Sequence, residues 1–377
     1  MSESEPGSIL FVSRNFDRMA GGVERMATAM MNELVGRGWR VGLLTWDPED
    51  AEAHYWLDPR VEWTRMTLGD PYVRASWAMR CQRLRLIRRC TRGFAPDVVI
   101  GFQSGAFAAA RLALLGCGIP TIAAERNSPD QYSHVTRGWR KRMSANLVLG
   151  LATRITVQLP SYRVKYPPPL RPRIVAIPNP VEPVAAPPYP NESAPAPTTI
   201  LNLGRLSFQK NQALLLRAFA RIADDWPDWR VALVGDGEAR AELEMLVDSL
   251  GLGGRVFFAG ATRDIRGWFE YSAFLAFPSK WEGFPNALVE AFAHGVPAIG
   301  IRTTAGVNEL VSDGKNGLLS DSDEIAFAHC MQELMVDQKR RAAMGRAAVA
   351  YVASYKPKAI YDRWEALLKK VSEQRCV

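Results

Sequence analysis

Glu282 and Glu290, eight residues apart in a chain of 377, have the types and spacing that could handle a sugar nucleotide. They fall between an apolar strand-like run, 273–277, and a helix-like run from Asn286 to His294. Gly283 and Pro285 turn the chain there, and Asn286 is the expected helix cap. One carboxylate then sits in the loop and the other one turn inside the helix, with helix-end N–H groups between them. Those N–H groups suit a diphosphate. Each carboxylate can accept hydrogen bonds from hydroxyls, one on a hexose and one on a ribose. A solvated loop glutamate and a surface-helix glutamate would give the same spacing.

A second pair could serve the same ligand. Ile200 to Gly204 reads as a strand, and Arg205 and Lys210 follow on the loop into the next helix. Two cations five apart at a strand's carboxyl end can hold a diphosphate and stabilise it as it leaves. Two exposed surface cations are the plainer account. Val231 to Val234 runs into Gly235-Asp236-Gly237, a strand and tight turn whose glycines would let a nucleotide approach closely. Arg255 to Gly260 is a further strand, followed by residues 261–265, in which Asp264 can also be a helix cap. Asp321 and Asp323 have the spacing of a metal-binding pair, but they precede a helix pattern from Glu324, so capping explains them and no metal site is expected.

Elements that would position these groups recur along the chain. Ser8 to Ser13, a Gly21-Gly22 turn and a helix pattern from Val23 to Val35 make a strand, turn and helix. Paired glycines there can form an anion nest or simply a turn, and Glu24 favours the helix's positive end. Further strands are expected at 39–46, 61–66, 97–102, 120–125, 154–159 and 173–181, most of them separated by helical stretches. That alternation predicts an α/β fold with parallel sheets covered on both faces. Ligands in such sheets sit beyond the carboxyl ends of the strands, which brings Ser13, Phe102, Gln103, Ser104, Glu125, Arg126 and Asn179 near the site. Between Leu159 and Thr198 stand 13 of the chain's 25 prolines, so a semi-rigid linker is expected at 183–197.

Composition bounds the function class. A 47% apolar and 23% charged chain of this length holds two ordinary cores. No apolar run approaches the ~20 residues of a membrane span. The acidic start lacks a signal peptide's apolar centre. Five cysteines form no C-x-x-C, which favours a reduced, cytoplasmic setting, and four histidines show no metal-ligand spacing. The net charge of +8 is one-sided: residues 1–180 hold 25 Lys+Arg against 15 Asp+Glu, and residues 181–377 hold 22 against 24. Two Arg-rich stretches with interleaved Trp and Leu, 72–92 and 136–152, suit a helix lying on an anionic lipid surface. They equally suit a helix packed on a sheet. Nucleic-acid binding has no motif behind it.

Taken in order, Gly-Gly-Val-Glu at 21–24, Gly204-Arg205 with Lys210, Val-Gly-Asp-Gly at 234–237, the 282–290 stretch and Gly306 to Glu309 resemble retaining glycosyltransferases of family 4. The resemblance implies the GT-B fold, two Rossmann-like parallel-sheet domains facing each other across a cleft. It implies an N-terminal acceptor and membrane-side domain over 1–182, a nucleotide-sugar domain over 198–354, and a helix at about 355–377 that crosses back. Transfer of a hexose, or an N-acetylhexosamine, from a UDP-sugar to a lipid-linked or saccharide acceptor in cell-envelope glycan assembly is implied, with no metal or organic cofactor. Glu282, Arg205, Lys210 and Arg126 are the implied catalytic groups. Donor contacts fall to Gly21, Gly22, Gly204, Asp236, Gly237, Arg263, Ile265, Gly283, Phe284, Pro285, Asn286 and Glu290.

Arg126 stands where many members have a histidine. Arginine does not serve as a base near neutral pH, so Arg126 is expected to clamp a phosphate or hydroxyl instead. A cytoplasmic enzyme, peripheral on the inner membrane face, follows. Two alternatives stay open: a sugar-nucleotide 2-epimerase on the same fold, and a non-catalytic basic adaptor for membrane or nucleic acid.

Overall fold

The computed structural model describes residues 7–69, 73, 75–184, 197–262 and 264–376. Most of the expected linker, Arg263 and parts of the 72–92 stretch lie outside those residues. The chain divides into two units, Met1–Pro180 with Lys358–Val377, and Val181–Pro357.

In unit 1 seven strands pair in parallel: β1 (Ser8–Val12), β2 (Arg40–Thr45), β3 (Glu62–Arg65), β4 (Val98–Phe102), β5 (Thr121–Ala124), β6 (Arg154–Val157) and β7 (Ile174–Ala176). Their order is β3-β2-β1-β4-β5-β6-β7. Central strands such as Val98–Phe102 are buried at every residue, the pattern of a sheet covered on both faces. The covering helices are α1 (Gly22–Gly36), α2 (Trp77–Phe94), α3 (Gln103–Ala113) and α4 (Gly138–Leu149).

Unit 2 repeats the plan with β8 (Thr199–Leu203), β9 (Arg230–Val234), β10 (Val256–Gly260), β11 (Phe274–Phe277), β12 (Ala298–Ile301) and β13 (Gly317–Ser320), in the order β10-β9-β8-β11-β12-β13. Its helices are α5 (Gln212–Ala220), α6 (Arg240–Ser249), α7 (Arg266–Glu270), α8 (Asn286–Ala293), α9 (Val307–Leu310), α10 (Glu324–Val336) and α11 (Gln338–Val352). The strand order reverses between β8 and β11, and ligands of doubly wound sheets bind at such a switch point. Asp323 caps α10 by accepting from the N–H groups of Ile325 and Ala326.

The last helix, α12 (Pro357–Ser372), belongs mostly to unit 1. It buries Ile360, Trp364, Leu368 and Val371 in the same core as Met26, Met30 and Leu34 of α1. Arg37 locks the packing: its Nη1 lies 2.7 Å from both Asp362 and Glu365, and its Nε 2.9 Å from Glu33. Hydrogen bonds from Arg37 draw the Glu365 carboxyl below its usual range against the effect of burial.

Candidate functional site

The loops after β8 and β11 flank the switch point of unit 2, and polar side chains fasten one to the other. Gln209 donates from Nε2 to the carbonyl of Trp281 at 2.8 Å and accepts from the N–H of Lys280 at 2.9 Å. Asn211, in a left-handed conformation at φ 55°, donates to Pro278 O at 3.3 Å. From the far side Thr304 holds the carbonyl of Ser279 at 2.6 Å.

This bracing brings two of the sequence candidates together. Lys210 Nζ lies 2.8 Å from Glu282 Oε1, with the side chains 20% and 5% exposed. Phe277, the last residue of β11, sets its ring 5.1 Å beneath the ammonium. So the cation expected on a phosphate and the carboxylate expected on a sugar neutralise each other in the free protein. Arg205 stays exposed, its carbonyl held at 3.0 Å by the buried side chain of Gln212.

The glycines of the β9 turn serve this loop. A Cβ on Gly235, at φ 134°, would stand 2.0 Å from Gly204 O, and one on Gly237 would stand 2.3 Å from Leu206 O and 2.8 Å from Arg205 Cγ. Neither position tolerates a side chain, because the turn packs directly on the backbone that presents Arg205. Contact with the β8 loop is by itself a reason for glycine at both positions. Asp236 is half exposed and accepts from the N–H of Gly237 at 2.8 Å.

The start of α8 differs from expectation. Pro285, not Asn286, occupies the cap position, and no side chain caps the helix. Asn286 spends its N–H on Phe284 O at 2.9 Å, while Val289 bonds back to Pro285 O at 3.2 Å. Proline has no N–H to satisfy, so it fits a helix start. Gly283, Phe284 and Pro285 are buried, and Glu290 is partly buried one turn inside α8. Ile265 precedes α7, the loop's other described candidate.

The remaining candidates lie in unit 1. Gly21 precedes α1, and a Cβ there would meet Glu24 Oε2 at 2.1 Å, so the buried Glu24 carboxylate folds back over the helix start. An acid at the third helical position returning to the N-cap is capping-box geometry. Gly22 is exposed beside it. Glu125 and Arg126 follow β5 and are 5% exposed each. Burial lifts the Glu125 carboxyl to about 7, the Arg126 charge offsetting part of that, and burial lowers Arg126 to about 9.

Sequence reasoning passed over Gln209, Gln212, Thr304 and Asn202. Asn202 donates to Ala276 O at 2.9 Å and accepts from Gln212 at 3.2 Å inside the sheet. A lone Asn in the apolar run Ile200 to Leu203 was the available signal, since a buried amide needs partners.

On the surface of unit 1, α4 and the Pro167–Leu170 segment form an open apolar groove of about 520 Å³ whose lining includes Trp139, Met143, Leu147, Pro167, Pro169 and Leu170. Trp139, Met143 and Leu147, four residues apart on one face, are 65%, 55% and 70% exposed. Residues 131–181 around them hold nine Lys+Arg and no Asp or Glu.

Family models account for both halves. One described as glycosyl transferases group 1 matches residues 190–350, and one described as a glycosyl transferase 4-like domain matches residues 21–180. The chain carries these two glycosyltransferase domains. The Lys210–Glu282 pair thus lies in the group 1 domain, and Arg126 in the 4-like domain.

The chain is 32% identical over 171 residues, 45% of its length and 46% of the relative's, to the N-acetylgalactosamine-N,N'-diacetylbacillosaminyl-diphospho-undecaprenol 4-alpha-N-acetylgalactosaminyltransferase of Campylobacter jejuni. It spans under half the length of the curated relatives it matches, for example 36%, 21% and 31%. Among solved structures it is similar to sucrose-phosphate synthase of Thermosynechococcus elongatus, with a TM-score of 0.82, 20% identity and 97% and 98% of the two chains covered. It is also similar to the Anabaena HepE protein in complex with UDP and glucose, with a TM-score of 0.77, 17% identity and 96% and 99% covered. These likenesses show the fold, GT-B, built from two Rossmann-like parallel-sheet units.

Proposed function

We propose that this chain is a retaining glycosyltransferase moving a hexose or N-acetylhexosamine from a UDP-sugar to a lipid-linked or saccharide acceptor in cell-envelope glycan assembly. The observation that carries the reading is the Lys210–Glu282 pair at the switch point of unit 2, with Arg205 exposed on the same loop and Glu290 eight residues on. The relatives named above act on, or are seen with, a diphospho-undecaprenol saccharide and UDP with glucose.

In the proposed reaction Arg205 and Lys210 neutralise the diphosphate, and no metal or organic cofactor is required. Lys210 turns from Glu282 toward the phosphate, which releases the carboxylate to hold the sugar. The bond between the anomeric carbon and the diphosphate oxygen breaks with its electrons on the leaving group, which Lys210 and Arg205 stabilise. The acceptor oxygen bonds the same carbon on the same face, and its proton passes to the departing phosphate. Glu282 steadies the positive charge that develops on the sugar, and Glu290 fixes the ribose.

The acceptor reading gains from α4. An apolar face beside an acid-free basic segment suits an anionic bilayer surface, and no helix among the described residues is long and apolar enough to cross a membrane. The enzyme is proposed to work on the cytoplasmic face as a peripheral protein.

Incubating the protein with UDP-sugars, with and without an undecaprenyl-diphosphate saccharide, tests the reading by chromatography and product mass. A product heavier by one sugar supports it. Donor converted to its epimer without acceptor would assign the 2-epimerase, and absence of any UDP-induced thermal shift would assign the adaptor.

A further inference from the structure

Three arginines are buried among the described residues: Arg83, Arg126 and Arg341, at 8%, 5% and 1% exposure. Arg83 donates from Nε to Leu68 O at 3.0 Å, and Arg341 donates to the carbonyls of Leu334 and Met335. These two serve the fold, their donors spent on backbone acceptors. Arg126 does not follow them. Its Nε, Nη1 and Nη2 all lack a hydrogen-bond partner. Acceptors stand just beyond the ends of β5 and its neighbour β6, where Oε1 of Glu125 and Oε1 of Gln158 are likewise buried and unsatisfied. Arg126 bonds to neither. Its compensation is the charge of Glu125 and the Trp364 ring, 5.3 Å from its Cζ.

A buried guanidinium with idle donors is destabilising unless an anion meets it, and its planar fork matches phosphate or carboxylate. Arg126 stands directly after β5, at the carboxyl edge where ligands of parallel sheets bind. We propose that Arg126 is an anion receptor, taking a phosphate or carboxylate oxyanion of the acceptor. The assignment to the acceptor rests on the transferase reading, in which the donor's diphosphate already has Arg205 and Lys210. The binding itself does not rest on it.

The test follows thermal unfolding of the full chain at constant ionic strength with UDP saturating throughout. Inorganic pyrophosphate, sodium glucuronate and neutral glucose are titrated separately. A rise in Tm with pyrophosphate alone assigns a phosphate source, a rise with glucuronate alone a carboxylate source, and glucose leaves Tm unchanged. Arg126→Met is expected to abolish the rise while leaving the Tm without anion equal to or above that of the wild type, because an unpaired buried charge has been removed. Arg126→Lys keeps the charge without the fork and is expected to need roughly tenfold more anion.

The proposal is overturned if neither anion raises Tm, if the rise survives in Arg126→Met, or if Arg126→Met and Glu125→Gln/Arg126→Met both lower the anion-free Tm by several degrees, which marks a structural arginine. Glu125→Gln/Arg126→Met keeps the result readable should Arg126→Met alone fold poorly. UDP alone, tested on wild type and Lys210→Met, reports on the donor reading separately, so either can fail without the other.

Discussion

At the carboxyl edge of unit 2 the charges are already paired; at the carboxyl edge of unit 1 they are not. Lys210 and Glu282 meet at 2.8 Å across two loops that Gln209, Asn211 and Thr304 tie together. Glu125 and Arg126 are both buried and neighbours in sequence, yet Glu125 Oε1 and the three guanidinium nitrogens of Arg126 are left unmet. The difference concerns where each charge is satisfied. In unit 2 the loops deliver a finished pair that a ligand must open. In unit 1 the strand end delivers an unfinished one that a ligand must complete.

That contrast is broken most severely by removing one member of the finished pair. Glu282→Gln is expected to lower kcat by about 10²–10³-fold, the scale for one preorganised electrostatic contact at a reacting centre, measured as sugar transfer under saturating donor. The same change leaves Lys210 without its counter-charge and is expected to destabilise by roughly 3 kcal/mol, as for a broken buried pair. Lys210→Met/Glu282→Gln should recover most of that stability in urea unfolding and none of the activity. Recovery of activity in the double variant would assign the pair a purely structural role.

Next in size is the turn that supports the pair. Gly235→Ala places a methyl 2.0 Å from Gly204 O in a backbone conformation at φ 134°. A loss of roughly 2–4 kcal/mol is expected, from strain and forced displacement of the β8 loop. Because the displaced backbone carries Arg205, the Kd for UDP should rise with it, measured by titration calorimetry. Unchanged UDP affinity in a folded Gly235→Ala protein would separate the turn from the site.

How far this was legible in the sequence follows the same division. Strands such as Val98–Phe102 and Phe274–Phe277 are apolar runs, so the sheet class and these strands could be read directly, while β12 and β13, four residues each, went unread. The α8 cap was misjudged because Asn286 is a good capping residue in isolation, and only the loop geometry shows its N–H turned to Phe284. Gly235 and Gly237 were read for ligand access because sequence displays what a glycine permits, not which neighbour requires it. Asn202 and Gln212 went unread because their partners lie 74 and 10 residues away. Long-range polar bracing leaves no periodic trace.

The unfinished pair can be sharpened by pH. Burial holds Glu125 up at about 7 against a usual 4.5. The native state therefore keeps a proton that the unfolded chain has released between those values. The stability from that proton is complete below about 4.5 and is lost as pH rises through about 7, after which it stays flat. Glu125→Gln carries no such titration, so its stability relative to the wild type is expected to climb across that window and then level off. Urea midpoints at pH 5, 6, 7 and 8 check it. A difference that is constant with pH would place Glu125 in contact with water or ionised throughout.

The smallest effect on stability is expected from the cations of unit 1 that face solvent. Arg140 and Lys141 are exposed on α4 beside Trp139 and Met143, in a segment without a single acid. Near an anionic bilayer each basic residue contributes about 1 kcal/mol. Arg140→Gln/Lys141→Gln should therefore weaken binding to vesicles containing phosphatidylglycerol by roughly 30-fold while Tm barely moves. Trp139→Ser/Leu147→Ser should weaken binding to neutral vesicles as well, since it removes the apolar contact instead. Both variants should transfer sugar normally to a soluble acceptor, because neither touches the switch point of unit 2. Loss with a soluble acceptor would mean that α4 positions the acceptor itself, and the surface charges of unit 1 would then belong to the same unfinished site as Arg126.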